Sequence, residues 1–430
     1  MFRCLSSIKR GFNIKPCSQI SFRRIHDNGR NQAWAQAVEK VEELVGAKGK
    51  SAIDFKSLVG NDVEFLSDNI KRILTSGHPV INTISSYYFN AEGKHIRPLI
   101  VLLMSQATSL ISHPNGQFNE SRLPLTDINL PISSHFAKNG ERQVDDFSFH
   151  TSPPSTEIFK PTPDSCVILP SQRRLAEITE MIHTASLFHD DVIDDSKLRR
   201  GKPSCNSEFG NKMAILGGDY LLARASVSLA RLRHPDSVEL MATAIANLVE
   251  GELLQLKDIQ PSSIDYRKKL FENYIEKTYL KTASLIANSC KAAALLGGAP
   301  ESVAQHAFDY GKNIGIAFQL TDDLLDLVVS SDDFGKPVGA DLKLGISTAP
   351  VLFASEQFPE LHSLIDRKFS LEGDAEKARE LVLHSQGLER TRLLALEYAD
   401  LAIKSASQLP PSLSRDALIQ LSQKVTERKK

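Results

Sequence analysis

The chain predicts an all-α fold, a single large helical bundle around a central cavity. Three observations carry that reading. Apolar residues recur at helical spacing from Asn31 to about Ser109, and again from Leu175 nearly to the end. Gly and Pro only punctuate the second stretch, at Gly201-Lys202-Pro203, Gly217-Gly218, Pro261, Gly297-Gly298 and Gly335-Lys336-Pro337. No βαβ alternation, glycine-rich strand-to-helix loop or fixed-period repeat occurs.

The first segment differs from the rest. From Met1 to His26 there is no Asp or Glu, while Arg3, Lys9, Arg10, Lys15, Arg23 and Arg24 are basic. Leu5, Ile8 and Phe12 form a short apolar stripe opposite Lys9 and Arg10. Residues 1–30 are therefore expected to be a mitochondrial presequence, which places the protein in the matrix. Residues 31–430 are expected to form one domain. The helical pattern breaks after the apolar run Pro98–Leu110, where Pro114, Pro124, Pro131, Pro153, Pro154, Pro161 and Pro163 sit among Ser and Asn. A stretch this long and polar reads as a disordered insertion at 112–168.

Bulk composition excludes several classes. A formal charge of −1 with 24% charged residues gives no basic surface for nucleic acid. Five scattered cysteines without a Cys-x-x-Cys suit a reducing compartment and offer neither a zinc site nor a disulfide framework. No apolar run reaches membrane-spanning length, so any membrane association is expected to be peripheral, on the inner membrane.

One acidic pattern occurs twice: Asp-Asp-x-x-Asp at Asp190, Asp191, Asp194 and at Asp322, Asp323, Asp326, each in an apolar helical stretch. At about 100° per residue, such spacing puts the three carboxylates on one side of a helix. Clustered, partly desolvated anions repel unless cations neutralise them. Oxygen-only ligands favour hard divalent ions, and magnesium commonly binds substrate phosphates as well. One copy alone reads equally as a solvated helix end with internal ion pairs; two identical copies do not. Arg199 and Arg200 follow the first copy, and Gly93-Lys94-His95-Ile96-Arg97-Pro98 forms a second basic cluster. Both offer phosphate donors, although Lys94 and Arg97 alone would be a weak signal. Lys281-Thr282 in an apolar helix, Gln319 and Lys336 add further polar groups. The lysine alone would read as snorkelling.

Taken together, these motifs resemble the trans-isoprenyl diphosphate synthases, of the long-chain, hexaprenyl-like type that makes the ubiquinone side chain. The resemblance rests on Gly93-Lys94-x-x-Arg97-Pro98, the Asp190 block through Leu198-Arg199-Arg200-Gly201, and Gly218-Asp219-Tyr220-Leu221-Leu222. It continues through Gly251-Glu252-Leu253-Leu254-Gln255, Lys281-Thr282-Ala283, Gln319-x-x-Asp322-Asp323-x-x-Asp326 and Gly335-Lys336-Pro337-x-Gly339-x-Asp341-Leu342. It implies an isoprenoid-synthase bundle in which the six aspartates bind about three Mg²⁺ ions bridging an allylic diphosphate. It further implies that Arg199, Lys281, Thr282, Gln319 and Lys336 contact that diphosphate, and that Lys94, Arg97, His183 and Arg200 hold isopentenyl diphosphate. The implied assembly is a homodimer or a heteromer with a related subunit. Two positions depart from the family pattern: Glu92 where a second glycine is common, and Ile346 where many relatives carry a lysine, with Lys343 as a stand-in.

Product length should follow from what lines the helix below the first cluster. Ala185 and Ser186 lie about one turn deeper than Asp190, with Ile182, Met181 and Ile178 deeper still. Bulky residues at the first two would block chain growth, as the resemblance to short-chain synthases implies; small ones leave it open, unless they serve only close helix packing. Two other readings remain: a class I terpene cyclase on the same fold, and a non-catalytic partner subunit of a heteromeric synthase. Two matching acidic clusters with Lys94, Arg97, Arg199 and Arg200 weigh against the cyclase, and the presence of all six aspartates weighs against the partner subunit.

Overall fold

Helices account for nearly all of the computed structural model, which describes residues 55–76, 78–90, 95–112, 168–199, 202–256, 266–328 and 339–427. The expected presequence at 1–30 lies outside the described residues, as do 113–167 of the expected insertion and the site candidates Lys94, Arg200 and Lys336. At the insertion's edges, Ser112 still belongs to a helix and Ile168 is buried.

The first helices are α1 (Phe55–Glu64), α2 (Leu66–Ile73), α3 (Pro79–Ser85) and α4 (Ile96–Ser112), with a 3₁₀ turn at Tyr88–Asn90 before α4. Then follow α5 (Pro170–Ile193), a two-stranded antiparallel hairpin of β1 (Leu198–Arg199) and β2 (Lys202–Pro203), and α6 (Cys205–Phe209). Helices α7 (Asn211–Arg231), α8 (Pro235–Leu256) and α9 (Tyr266–Thr278) lead into a π-helical segment, Tyr279–Ala283. Helices α10 (Ser284–Leu296) and α11 (Glu301–Val328) come next. The last third comprises α12 (Ala340–Lys343), α13 (Ala349–Ala354), α14 (Glu360–Asp366), α15 (Asp374–Leu383), α16 (Gly387–Ala406) and α17 (Leu413–Val425).

Local chemistry sets several of these boundaries. Pro170 opens α5 and Pro235 opens α8, where a missing N–H costs nothing. Ser412 accepts the Arg415 N–H at 3.1 Å as the N-cap of α17. Helix α4 is buried from Pro98 to Ser109; its polar residues Ser105 and Thr108 donate to carbonyls of their own helix, and Gln106 donates to the Leu58 carbonyl at 3.0 Å. It packs on α5, α10 and α17, while α11 lies between α10 and α16 and α7 covers α5. One core cluster runs through α1–α8, α10, the first half of α11, α16 and α17. A second joins α9, the end of α11 and α12–α16, and Tyr398 packs against both.

One boundary is set by a single residue, and one local expectation changes. The first acidic helix stops at Ile193, and Asp195 adopts a left-handed φ of 48° just beyond its end. Lys281 and Thr282 lie on the π segment instead of a regular α-helix; such single-turn widenings are common where function needs a displaced side chain. Among the described residues, no helix is long and apolar enough to cross a membrane.

The core also holds polar crosslinks. The wholly buried Tyr310 of α11 donates its hydroxyl to the Leu418 carbonyl of α17 at 3.1 Å, beside Ser422. Tyr310→Phe should lower stability by about 1 kcal/mol with little change in activity, read by thermal or denaturant unfolding.

Candidate active site

The first acidic motif sits where α5 ends. Asp190 and Asp191 belong to its last turn, and Asp194 is the C-cap, its N–H bonded to the Asp190 carbonyl at 2.8 Å. The chain then reverses through the hairpin, which folds Arg199 back onto Asp191. Arg199 Nε lies 2.8 and 2.9 Å from the two carboxylate oxygens, and a terminal nitrogen lies 2.6 Å from Oδ1. Asp191 is 0% exposed and also accepts the Tyr88 hydroxyl, which itself accepts the Cys205 N–H at 2.7 Å. Both oxygens of Asp191 are thus engaged within the protein.

Asp190 and Asp194 have a different environment. Burial pushes Asp190 up to about 6; Lys281 opposes the rise, while Glu252 and Asp194 add to it. Burial raises Asp194 as well, again against Lys281 and with Glu252. Lys281 forms an ion pair with Glu252 at 2.5 Å and donates to Gln255 at 3.1 Å. The other Glu252 oxygen, Oε1, is buried without a hydrogen-bond partner among the described residues.

The second motif, on α11, repeats this division. Asp323 is 2% exposed and accepts Tyr274 from α9 at 2.5 Å and the Gln319 amide at 2.9 Å, one on each oxygen. Burial raises it to about 6 despite those bonds. Asp326 accepts the Ala340 and Asp341 N–H groups at 3.2 and 3.3 Å, tying the start of α12 to α11. In both motifs the second aspartate is turned into the protein. The reason is angular: position i+1 is rotated about 100° from i, whereas i+4 returns to within about 40°. The expectation of three carboxylates on one face is therefore not met at Asp191 and Asp323, while Asp190 and Asp194 share one environment and Asp326 is tied to α12.

The π segment joins the two motifs. Thr282 donates to Gln319 at 2.8 Å, and Gln319 in turn donates to Asp323, while the neighbouring Lys281 faces Asp190 and Asp194. Two glycines let the helices approach it. A Cβ on Gly251 of α8 would lie 2.6 Å from Lys281 Cγ, and one on Gly315 of α11 would lie 2.6 Å from Ala283 Cα.

A third cluster lies where α4 starts against α5. Arg97 stands 3.0 Å from His183 Nε2, and His95 Nδ1 lies 3.2 Å from the buried carboxylate of Glu180, one turn before His183. Burial alone would raise Glu180, but the His95 hydrogen bond and the proximity of His95, His183 and Arg97 bring it down to about 2. Of the chain-length candidates, Ala185 and Ile182 are wholly buried, and half-buried Ser186 donates to the His183 carbonyl at 2.9 Å. Lys343 is exposed on α12.

Among the described residues, no group of three or more His, Cys, Asp or Glu side chains already converges as a metal site. The donor set nonetheless suits a hard cation. Asp190 and Asp194 are held above their usual range by burial beside Glu252, whose Oε1 is orphaned, and a divalent ion with oxygen ligands would relieve both. Sequence reasoning passed over Tyr88, Tyr274, Glu180, Glu252 and Gln255 as site residues. Only Glu252 and Gln255 left a trace, in the Gly251–Gln255 motif.

The assembly defines a class: a helical synthase whose site pairs two acidic helices with interleaved cations. Residues 157–382 match the family model described as polyprenyl synthetase. The chain is 50% identical over 417 residues to the "Probable hexaprenyl pyrophosphate synthase, mitochondrial" of Neurospora crassa, covering 94% of this chain and 90% of that one. It is 45% identical over 429 residues to the "Hexaprenyl pyrophosphate synthase, mitochondrial" of Saccharomyces cerevisiae, covering 87% and 90%. The polyprenyl synthase of Caulobacter crescentus, solved with calcium and isoprenyl diphosphate, matches with a TM-score of 0.68 at 28% identity, over 89% of this chain and all of that one. The chain belongs to the polyprenyl synthetase family.

Gly315→Ala should push the π segment out of place. A loss of activity of roughly a hundredfold, with helicity retained by circular dichroism, is expected from a shift of about 1 Å at this position.

Proposed function

We propose that this chain condenses isopentenyl diphosphate repeatedly onto an allylic diphosphate, releasing a long all-trans polyprenyl diphosphate for the ubiquinone side chain in the mitochondrial matrix. The observation that carries the reading is the link from Asp190 and Asp194 through Lys281-Thr282 and Gln319 to the second motif. The named activities and location of the fungal relatives point the same way.

Asp190, Asp194 and Asp322 would hold Mg²⁺, about three ions in all, with Asp326 beside them and Asp191 and Asp323 aligning the helix ends. Bound Mg²⁺ would supply electrostatic stabilisation to the departing diphosphate. Lys281, Arg199, Thr282 and Gln319, with Lys336, contact that diphosphate and neutralise charge as the allylic C–O bond breaks. Arg97 and His183, with Lys94 and Arg200, hold isopentenyl diphosphate so that its double bond faces the allylic carbon. A carbon–carbon bond forms, the resulting cation loses a proton to the released diphosphate, and an allylic chain one unit longer results. The apolar walls exclude water, which would capture the cation.

Purified protein given Mg²⁺, an allylic primer and radiolabelled isopentenyl diphosphate should incorporate label, and mass analysis of the product should show a long chain. Incorporation that appears only after a related subunit is added would favour the partner reading. Consumption of allylic diphosphate without isopentenyl diphosphate would favour a cyclase. Ala185→Phe should shorten the product while label incorporation persists; an unchanged length distribution removes Ala185 from the growth path.

Self-association is part of the proposal. Met213, Leu216 and Val227 are exposed at heptad spacing on α7, and Val249 and Leu253, 58% and 60% exposed, continue an apolar face on the next helix, α8. Such a stripe suits helix pairing with a second copy. Leu216→Glu should halve the mass seen by sedimentation; a chain already monomeric before substitution would instead point to a different subunit.

A further inference from the structure

We propose that Lys277 is a further binding residue for the allylic substrate, its ammonium donating to the non-bridging oxygens of the diphosphate. This deepens the synthase reading and rests on it.

Lys277 is the penultimate residue of α9, two residues before the π segment that carries Lys281, so the two lysines stand four residues apart where the helix widens. The half-buried side chain places Nζ 5.8 Å from the centre of the Tyr274 ring, and Tyr274 is the residue that donates to Asp323. The Tyr274 ring therefore sets the ammonium beside the second acidic motif, within the electrostatic reach of Asp323, Lys281, Asp341 and Glu252.

Among the described residues, the other cations assigned to the allylic diphosphate are already engaged: Arg199 by Asp191, Lys281 by Glu252 and Gln255. Among the described residues, no hydrogen bond or ion pair ends on Lys277, whose only direct partner is the Tyr274 ring. It is not the counter-ion that fixes Asp323, because Tyr274 and Gln319 occupy both oxygens of that carboxylate. The half-buried ammonium keeps open donors that an anion entering beside the second motif can take up.

Lys277→Met keeps the length of the side chain and removes the charge. The full-length variant should bind inorganic pyrophosphate with Mg²⁺ roughly tenfold more weakly and show a similar rise in KM for the allylic diphosphate. KM for isopentenyl diphosphate should not move, Tm should hold, and Lys277→Arg should recover most of the affinity. Unchanged pyrophosphate binding overturns the proposal, whether Tm stays or falls. So does a change confined to the Mg²⁺ requirement, which would make Lys277 only a charge-balancing neighbour of Asp323. If wild-type protein incorporates no isopentenyl diphosphate, the synthase reading fails, while the pyrophosphate measurement still reports on Lys277.

Discussion

Carboxylates crowded against carboxylates are the constraint this bundle is built to withstand. Two unit charges 4 Å apart near a protein surface interact by about 4 kcal/mol, and here Asp190, Asp194 and Glu252 share one region. Left alone, such groups would move apart or take up protons. Burial lifts Asp190 and Asp323 to about 6, with Glu252 and Asp194 adding to the rise at Asp190, so each motif favours a bound cation. The packing of α5, α8 and α11 on α10 prevents the first escape, and Lys281, inserted on the π segment, moderates the second. The site is therefore charged in advance for a cation-bridged anion, and the fold bears the cost of that readiness.

The π segment makes this possible. A regular α-helix through Tyr279–Ala283 would follow one fixed angular pattern, whereas the widened turn lets Lys281 face the α5 aspartates while Thr282 meets Gln319 on α11. Close approach on both flanks keeps it there. Gly251 leaves room for the Lys281 stem and Gly315 for the Ala283 backbone, and any side chain at either glycine would have to displace it. Conformational choice at Lys281 and packing choice at two distant glycines thus express one requirement.

How far the sequence speaks depends on the kind of signal each residue leaves. The bundle was legible because helical periodicity is repeated over hundreds of residues, and the acidic motifs were legible because the same spacing occurs twice. Arg97 meeting His183, and Thr282 meeting Gln319, join residues already singled out from the sequence. What periodicity does not carry is which side of the helix a given residue faces once neighbours compete for it. Asp191 and Asp323 look like their motif partners in sequence, yet each is turned inward to a tyrosine, Tyr88 or Tyr274, that no spacing rule connects to it. Glu180 reads as one more polar helical position until His95 and Arg97 arrive from α4. The end of α5 depends on a single left-handed residue, Asp195, in a run that otherwise favours helix.

Helix α5 also sets how the two halves of the reaction stand to each other. His183 and Asp190 are seven residues apart, nearly two full turns, so they lie on one line about 10 Å from end to end. Arg97 docks at the deeper end of that line and Arg199 folds back at the other, so the proposed sites for the two diphosphates are fixed by one rigid rod and not by mobile loops. Ala185 lies about 160° around the axis from His183, which turns the proposed growth path away from the cations at the same depth. Ser186, about 60° from His183, stays nearer the cations, so of the two chain-length candidates Ala185 is the one turned away from the groups proposed to receive the next isopentenyl diphosphate.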